Sequence, residues 1–217
     1  MTESNASTPR HPGLPAGAPP LVAILRGLQP AQAQPVAGAL FEAGFRCLEV
    51  PLNRPHALAC IEIIAAMAPP DALVGGGTML SVGDVDAVFD AGGRLMVCPH
   101  CDPALIAHAA YCGMFCAPGV ATPSEAFAAL RAGAHALKLF PAEQIGARGL
   151  KAMGTVLPAG TALWAVGGID APDMAEWVRA GATGFGIGSL LFQPSLDVAE
   201  LGRRAVRMLQ AWRDARP

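Results

Sequence analysis

From Leu21 onward the chain repeats one cycle: a short apolar run, a break at Gly, Pro or a polar residue, then an Ala-rich stretch with apolar residues at i, i+3 and i+4. A strand-length apolar run followed by a helical period is a βα unit, and strands joined through helices lie parallel. The runs with strand character are residues 21–26, 47–52, 73–78, 94–99, 114–119, 136–141, 162–168 and 184–189. Eight such units close a parallel barrel, so the expected fold is α/β, a (β/α)8 TIM barrel in a single domain over residues 21–217. An open doubly wound sheet would want a Gly-x-Gly-x-x-Gly turn after its first strand, and Arg26-Gly27-Leu28-Gln29 does not supply it.

Helices are expected over residues 31–43, 123–132 and 171–180 among others. Ala43-Gly44, Ala132-Gly133 and Ala180-Gly181 read as their ends. Thr122-Pro123-Ser124-Glu125 and Asp170-Ala171-Pro172-Asp173 read as helix starts, a polar cap preceding Pro or an acid in the first turn.

The 217 residues are 53% hydrophobic and 15% charged, enough to bury one substantial core. A net charge of −2 lacks the clustered cations that a nucleic-acid or anionic-membrane surface needs, which leaves a small molecule as the expected partner. Every apolar run is interrupted before the roughly 18 residues of a membrane span. Residues 1–20 are rich in Ser, Thr, Pro, Gly and Ala without the apolar segment of a secretory signal, and are expected to be a disordered tail. The six cysteines lie in apolar stretches, which predicts reduced thiols and a cytoplasmic location.

Lys138 is the sharpest chemical feature, a lone ammonium in Ala136-Leu137-Lys138-Leu139-Phe140-Pro141. Strand alternation turns Leu137 and Leu139 to the helices and Lys138 into the barrel. An amine buried there is pushed toward its neutral, nucleophilic form, as Schiff-base chemistry requires; a structural lysine reaching the rim or pairing with a carboxylate is the alternative. Glu49, in Cys47-Leu48-Glu49-Val50-Pro51, follows the same alternation, either as a proton relay or as an ion-pair partner of the lysine.

Arg26 and Thr78 end the first and third strands at the barrel's C-terminal face, placed to hold a substrate carboxylate. Gly75-Gly76-Gly77 before Thr78 would allow close substrate approach. Gly167-Gly168 and Gly186-Ile187-Gly188-Ser189 follow the last two strands, where barrels build phosphate sites from backbone N–H groups, so a phosphorylated substrate is expected. Cys98-Pro99-His100-Cys101 with Cys112 and Cys116 carries zinc-ligand types, but gathering residues of the fourth and fifth strands around one ion would disrupt the sheet, and no metal is expected.

Through Ala23-Ile24-Leu25-Arg26-Gly27, Leu48-Glu49-Val50-Pro51-Leu52-Asn53, Gly75-Gly76-Gly77-Thr78, Ala136 to Pro141 and Ala165-Val166-Gly167-Gly168, the chain resembles the 2-keto-3-deoxy-6-phosphogluconate and 2-keto-3-deoxy-6-phosphogalactonate aldolase family. The resemblance covers nearly all of residues 21–209. It implies that Lys138 forms the Schiff base, Glu49 relays protons, and Arg26 and Thr78 hold the keto-acid carboxylate. It further implies that Gly167, Gly168, Gly188 and Ser189 hold phosphate, and that Pro99 and Phe140 line the pyruvate pocket. No cofactor is implied, and a homotrimer is. Gluconate-type members usually carry Pro-Thr-Gly-Gly where this chain has Ala165-Val166-Gly167-Gly168, and the Asn53 segment likewise looks galactonate-like, so the resemblance points to the 6-phosphogalactonate epimer, with a 6-phosphogluconate aldolase or dual activity as the alternative. A sugar-phosphate isomerase or epimerase on the same barrel, or a metal module built on the cysteines, is a more distant reading.

Overall fold

The computed structural model describes residues 13–14 and 17–216. Most of the tail expected over residues 1–20 lies outside the described residues. The chain runs β1 (Leu21–Ile24), α1 (Pro30–Ala43), β2 (Cys47–Pro51), α2 (Ala57–Met67), β3 (Leu73–Gly77), α3 (Val82–Asp90), β4 (Leu95–Val97), α4 (Pro103–Tyr111) and β5 (Phe115–Ala117). It continues through β6 (Gly119–Val120), α5 (Pro123–Arg131), β7 (Leu137–Leu139), α6 (Ala142–Gly154), β8 (Leu163–Val166), α7 (Met174–Ala180), β9 (Gly184–Ile187) and α8 (Val198–Ala215).

All strand pairs are parallel, in the order β5-β4-β3-β2-β1-β9-β8-β7-β6. The two ends of that order are one stretch of chain. β5 and β6 are halves of the fifth barrel strand, divided at Pro118, which has no N–H to give to a ladder. The Pro118 carbonyl still accepts from Lys138 N–H at 2.9 Å, and the Cys116 carbonyl from His135 N–H at 2.9 Å, so the sheet closes on itself. Eight strand positions form the barrel, as the repeat predicted.

The observed strands stop short of several predicted ends, β1 at Ile24 and β3 at Gly77. The chain turns at positive φ at Gly27 (82°), three residues after β1, and directly after β3 and β8 at Thr78 (55°) and Gly167 (118°), and a ladder needs extended residues. The helix expected over residues 171–180 is divided as well. Asp170 caps a single 3-10 turn at Ala171–Asp173 before α7 begins. The other predicted start holds: the Thr122 hydroxyl accepts from Glu125 N–H at 3.3 Å, and the Glu125 carboxylate accepts from Thr122 N–H at 2.8 Å. Gly44 and Gly181 end α1 and α7 in the left-handed conformation that a Cβ would disfavour.

Alternation divides the apolar residues into two layers. Val22, Cys47, Leu73, Leu95, Val97, Phe115, Ala117, Ala136 and Trp164 fill the barrel interior, with the Phe115 and Trp164 rings stacked at 5.5 Å. Leu48, Val50, Leu137 and Leu139 face outward into the larger core beneath the helices. Two residues beyond Cys47 and Ala136 on the same inward face come Glu49 and Lys138, the two buried charged side chains among the described residues.

β3 is glycine-rich because its neighbours occupy the side-chain space: a Cβ on Gly75 would stand 1.9 Å from the Leu95 carbonyl oxygen. Gly75→Ala is expected to cost roughly 1–3 kcal/mol of stability through overpacking against backbone that cannot yield. Urea denaturation measures this, and an unchanged midpoint would contradict it.

Candidate active site

β7 carries Lys138 inward at its centre, where the side chain is 7% exposed and its Nζ stands 4.7 Å from the centre of the Phe140 ring. β2 carries Glu49, 2% exposed, with a buried Oε2 that meets no hydrogen-bond partner among the described residues. A Cβ on Gly77 would stand 1.7 Å from that oxygen. The space left by Gly77 is therefore the space of the Glu49 carboxylate, a different use of the glycines from the close substrate approach read in the sequence.

No ion pair within 4.0 Å joins Lys138 to Glu49 among the described residues, yet each feels the other's charge. Desolvation raises the Glu49 carboxyl to about 7, against the opposing pull of Lys138 and Arg26. Desolvation likewise lowers the Lys138 ammonium, partly offset by Glu49. Both groups are moved toward their neutral forms.

A gap of about 10 Å³, room for about one water, lies between Glu49, Lys138, Val97, Trp164 and Val166. It shares Ile24, Val166 and Gly186 with an open cavity of about 430 Å³. That cavity is lined by Arg26, Phe140, Glu143, Gly167, Gly168, Gly188 and Ser189. Gly167, Gly168, Gly188 and Ser189 donate no backbone N–H to another group among the described residues, which leaves four donors beside the cavity for an anion.

Of the residues singled out in the sequence, Lys138, Glu49, Arg26, Phe140, Val166, Gly167, Gly168, Gly188 and Ser189 border this pair of cavities. Pro99 and Thr78 border neither. The Thr78 hydroxyl has no hydrogen-bond partner among the described residues, and its φ of 55° is a conformation that a threonine rarely adopts. Pro99 packs its carbonyl against Gly119, where a Cβ would come within 2.4 Å.

Two residues have contacts here that the sequence did not assign to them. Asn53 Oδ1 accepts from Arg26 Nη1 at 2.7 Å and fixes the guanidinium. Glu143 sits in the first turn of α6, so close to the Gly167-Gly168 turn that a Cβ on Gly168 would lie 2.6 Å from its Oε1. Nothing in the sequence around Glu143 shows that the turn after β8 passes over it.

The thiols of the Cys98 to Cys116 segment do not converge. Cys98 donates to the His100 carbonyl, Cys101 to the Glu125 carbonyl and Cys116 to the Ile106 and Met114 carbonyls.

The sequence pattern described as Aldolase: KDPG and KHG aldolase matches residues 17–203. The chain belongs to this family. A relative from Rhizobium meliloti (strain 1021), named probable 2-dehydro-3-deoxy-6-phosphogalactonate aldolase, is 45% identical over 92% of this chain and 94% of its own. A second from Escherichia coli (strain K12), named 2-dehydro-3-deoxy-6-phosphogalactonate aldolase, is 41% identical over 90% of this chain and 96% of its own. The solved structure titled native KDPGal superposes with a TM-score of 0.88 at 41% identity, covering 90% of this chain and 95% of that one.

In this KDPG and KHG aldolase family member, the folded chain keeps on Glu49 a proton that the unfolded chain releases between about 4.5 and 7. The stability Glu49 contributes is complete below about 4.5 and is lost as pH rises through about 7. Infrared difference spectra are expected to show a protonated-carboxyl band that disappears near pH 7 and is missing from Glu49→Gln. A wild-type band already gone at pH 5, roughly where an ordinary carboxyl has ionised, would contradict it.

Proposed function

We propose that the chain is a class I aldolase that cleaves 2-dehydro-3-deoxy-6-phosphogalactonate to pyruvate and glyceraldehyde 3-phosphate through a Schiff base on Lys138. The observation that carries this reading is a buried amine with a depressed pKa, sharing a water-sized gap with a carboxyl that titrates near neutrality, directly below a cavity edged with unpartnered N–H groups.

The neutral Lys138 amine attacks the C2 ketone, and loss of water leaves an iminium. The C3–C4 bond breaks, its electron pair flowing into the iminium while the C4 hydroxyl proton passes to Glu49. The aldehyde departs, the enamine takes a proton at C3, and water hydrolyses the resulting imine to pyruvate and free Lys138. A carboxyl that titrates at about 7 both accepts and returns that proton at neutral pH. No metal or organic cofactor enters these steps.

The phosphate lies against Gly167, Gly168, Gly188 and Ser189. Arg26 borders the same cavity as these residues, which supports a contact with the phosphate end in place of the carboxylate contact expected from sequence. Thr78, with its free hydroxyl, serves the keto-acid carboxylate, and Pro99 and Phe140 bound the pyruvate. The assembly is a homotrimer, as the family resemblance implies. The location is the cytoplasm, supported by six free cysteines and by the absence of any described helix long and apolar enough to cross a membrane.

Borohydride added with pyruvate is expected to attach a reduced pyruvyl group to the Lys138 peptide and to abolish turnover. An active protein whose Lys138 peptide stays unmodified would refute the Schiff base. Val166 borders both cavities and offers no hydrogen bond to a C4 hydroxyl, which supports the galactonate epimer. Val166→Thr is expected to move the ratio of kcat/KM for the two epimers about two- to tenfold toward the gluconate, the worth of one neutral hydrogen bond of about 0.5–1.5 kcal/mol. Coupled assay of pyruvate release from each epimer measures it, and an unmoved ratio would remove Val166 from the specificity.

A further inference from the structure

On the outer wall of the barrel, away from both cavities, α3 and α4 bring together an acid, an imidazole and a thiol that the proposed reaction does not use. The ligand atoms of Asp86, His108 and Cys112 all lie within 4.8 Å of one another. His108 and Cys112 are four residues apart at the end of α4 and share one face of it, and Asp86 meets them from α3.

The decisive detail is which ring nitrogen they meet. His108 Nε2 lies 2.6 Å from Asp86 Oδ1 and 3.7 Å from Cys112 Sγ. A nucleophilic relay would hold the acid on one ring nitrogen and the thiol on the other. Here both converge on the same nitrogen, as ligands arranged around one point do. From this convergence we propose that Asp86, His108 and Cys112 bind one divalent cation of the zinc class.

Zinc–ligand lengths set the edges of a tetrahedral site at about 3.6 Å for nitrogen to sulfur and about 3.3 Å for nitrogen to oxygen. The 3.7 Å edge already fits, and the 2.6 Å contact has to open by about 0.7 Å, a small movement for the exposed Asp86 side chain. A mixed sulfur, nitrogen and oxygen donor set selects zinc and its neighbours over calcium or magnesium, which take oxygen ligands. Three bonds form, the Cys112 thiol releases its proton to solvent, and the cation replaces the Asp86–His108 contact. The side chains of Asp86 and His108 are 55% and 31% exposed, so the fourth position opens to water. The bound ion clips α3 to α4.

This site differs from the one considered in the sequence. Of the four cysteines in that segment it uses Cys112 alone, with His108 from its own helix and Asp86 from α3.

Cobalt(II) titrated into the full chain is the test, since a thiolate ligand gives a near-ultraviolet charge-transfer band and a tetrahedral site gives intense visible bands. One equivalent per chain is expected, with the bands removed by zinc(II). The charge-transfer band is expected to vanish in Cys112→Ser, to weaken at least tenfold in affinity in Asp86→Asn, and to persist in Cys101→Ser, which removes another partly exposed thiol. Zinc is expected to raise the Tm of the wild type and not of Cys112→Ser, with borohydride-sensitive turnover equal in both. No thiolate band in the wild type, or a band that survives in Cys112→Ser, overturns the site.

Discussion

The structure turns on a lysine and a glutamate taken out of water together without being joined. Desolvating each ion costs several kcal/mol, and a tight salt bridge would hold both charged. At more than 4.0 Å apart, Lys138 and Glu49 instead share their burial and are both moved toward neutrality. An amine that is neutral part of the time can attack a ketone, and a carboxyl near its midpoint can exchange a proton. Only a closed ring brings β2 and β7, at opposite places in the sheet order, to face one interior point. Closure of the barrel is thus a condition of the chemistry as well as of the fold.

That interior is finished differently at its two ends. Below the pair, the stacked rings of Phe115 and Trp164 and the side chains of Val22, Leu73 and Leu95 exclude water, which keeps the dielectric low. Above it, the turns after β8 and β9 leave backbone N–H groups unused at the cavity. β3 makes the two ends compatible. Its glycines surrender side-chain volume, to the Leu95 backbone at Gly75 and to the Glu49 carboxylate at Gly77, so that an acid fits in a wall otherwise filled by strands. A larger residue at either place would have to displace backbone or the acid itself.

What was legible in the sequence follows from this. The eight-unit repeat and the inward alternation of Glu49 and Lys138 are properties of period and spacing, and both stand in the fold. The break at Pro118 follows from a missing N–H, and the early ends of β1 and β3 from turns beyond them, neither of which periodicity carries. The contacts of Asn53 with Arg26, and of Glu143 with the turn after β8, join segments 27 residues apart in the first case and two successive βα units in the second. Such pairings arise from the order of the strands around the ring. The glycines of β3 show the limit most clearly: in sequence they mark a close approach, and only the packing says that the approaching group is Glu49.

The same logic explains why an anion site can tolerate an acid in its wall. Glu143 packs beneath the Gly167-Gly168 turn, where a side chain on Gly168 would collide with it, so its carboxylate occupies one side of the cavity floor. In the proposed reading, the repulsion of that carboxylate is offset within the same cavity by Arg26, pinned by Asn53, and by the free N–H groups of Gly167, Gly168, Gly188 and Ser189. An acid and a set of donors lining one cavity narrow the positions open to the proposed phosphate more than donors alone would. With one end placed in this way, the length of the bound chain decides which carbon stands beside Lys138. In the proposed reaction, the electrostatics of the open end therefore set the register of the chemistry in the closed one.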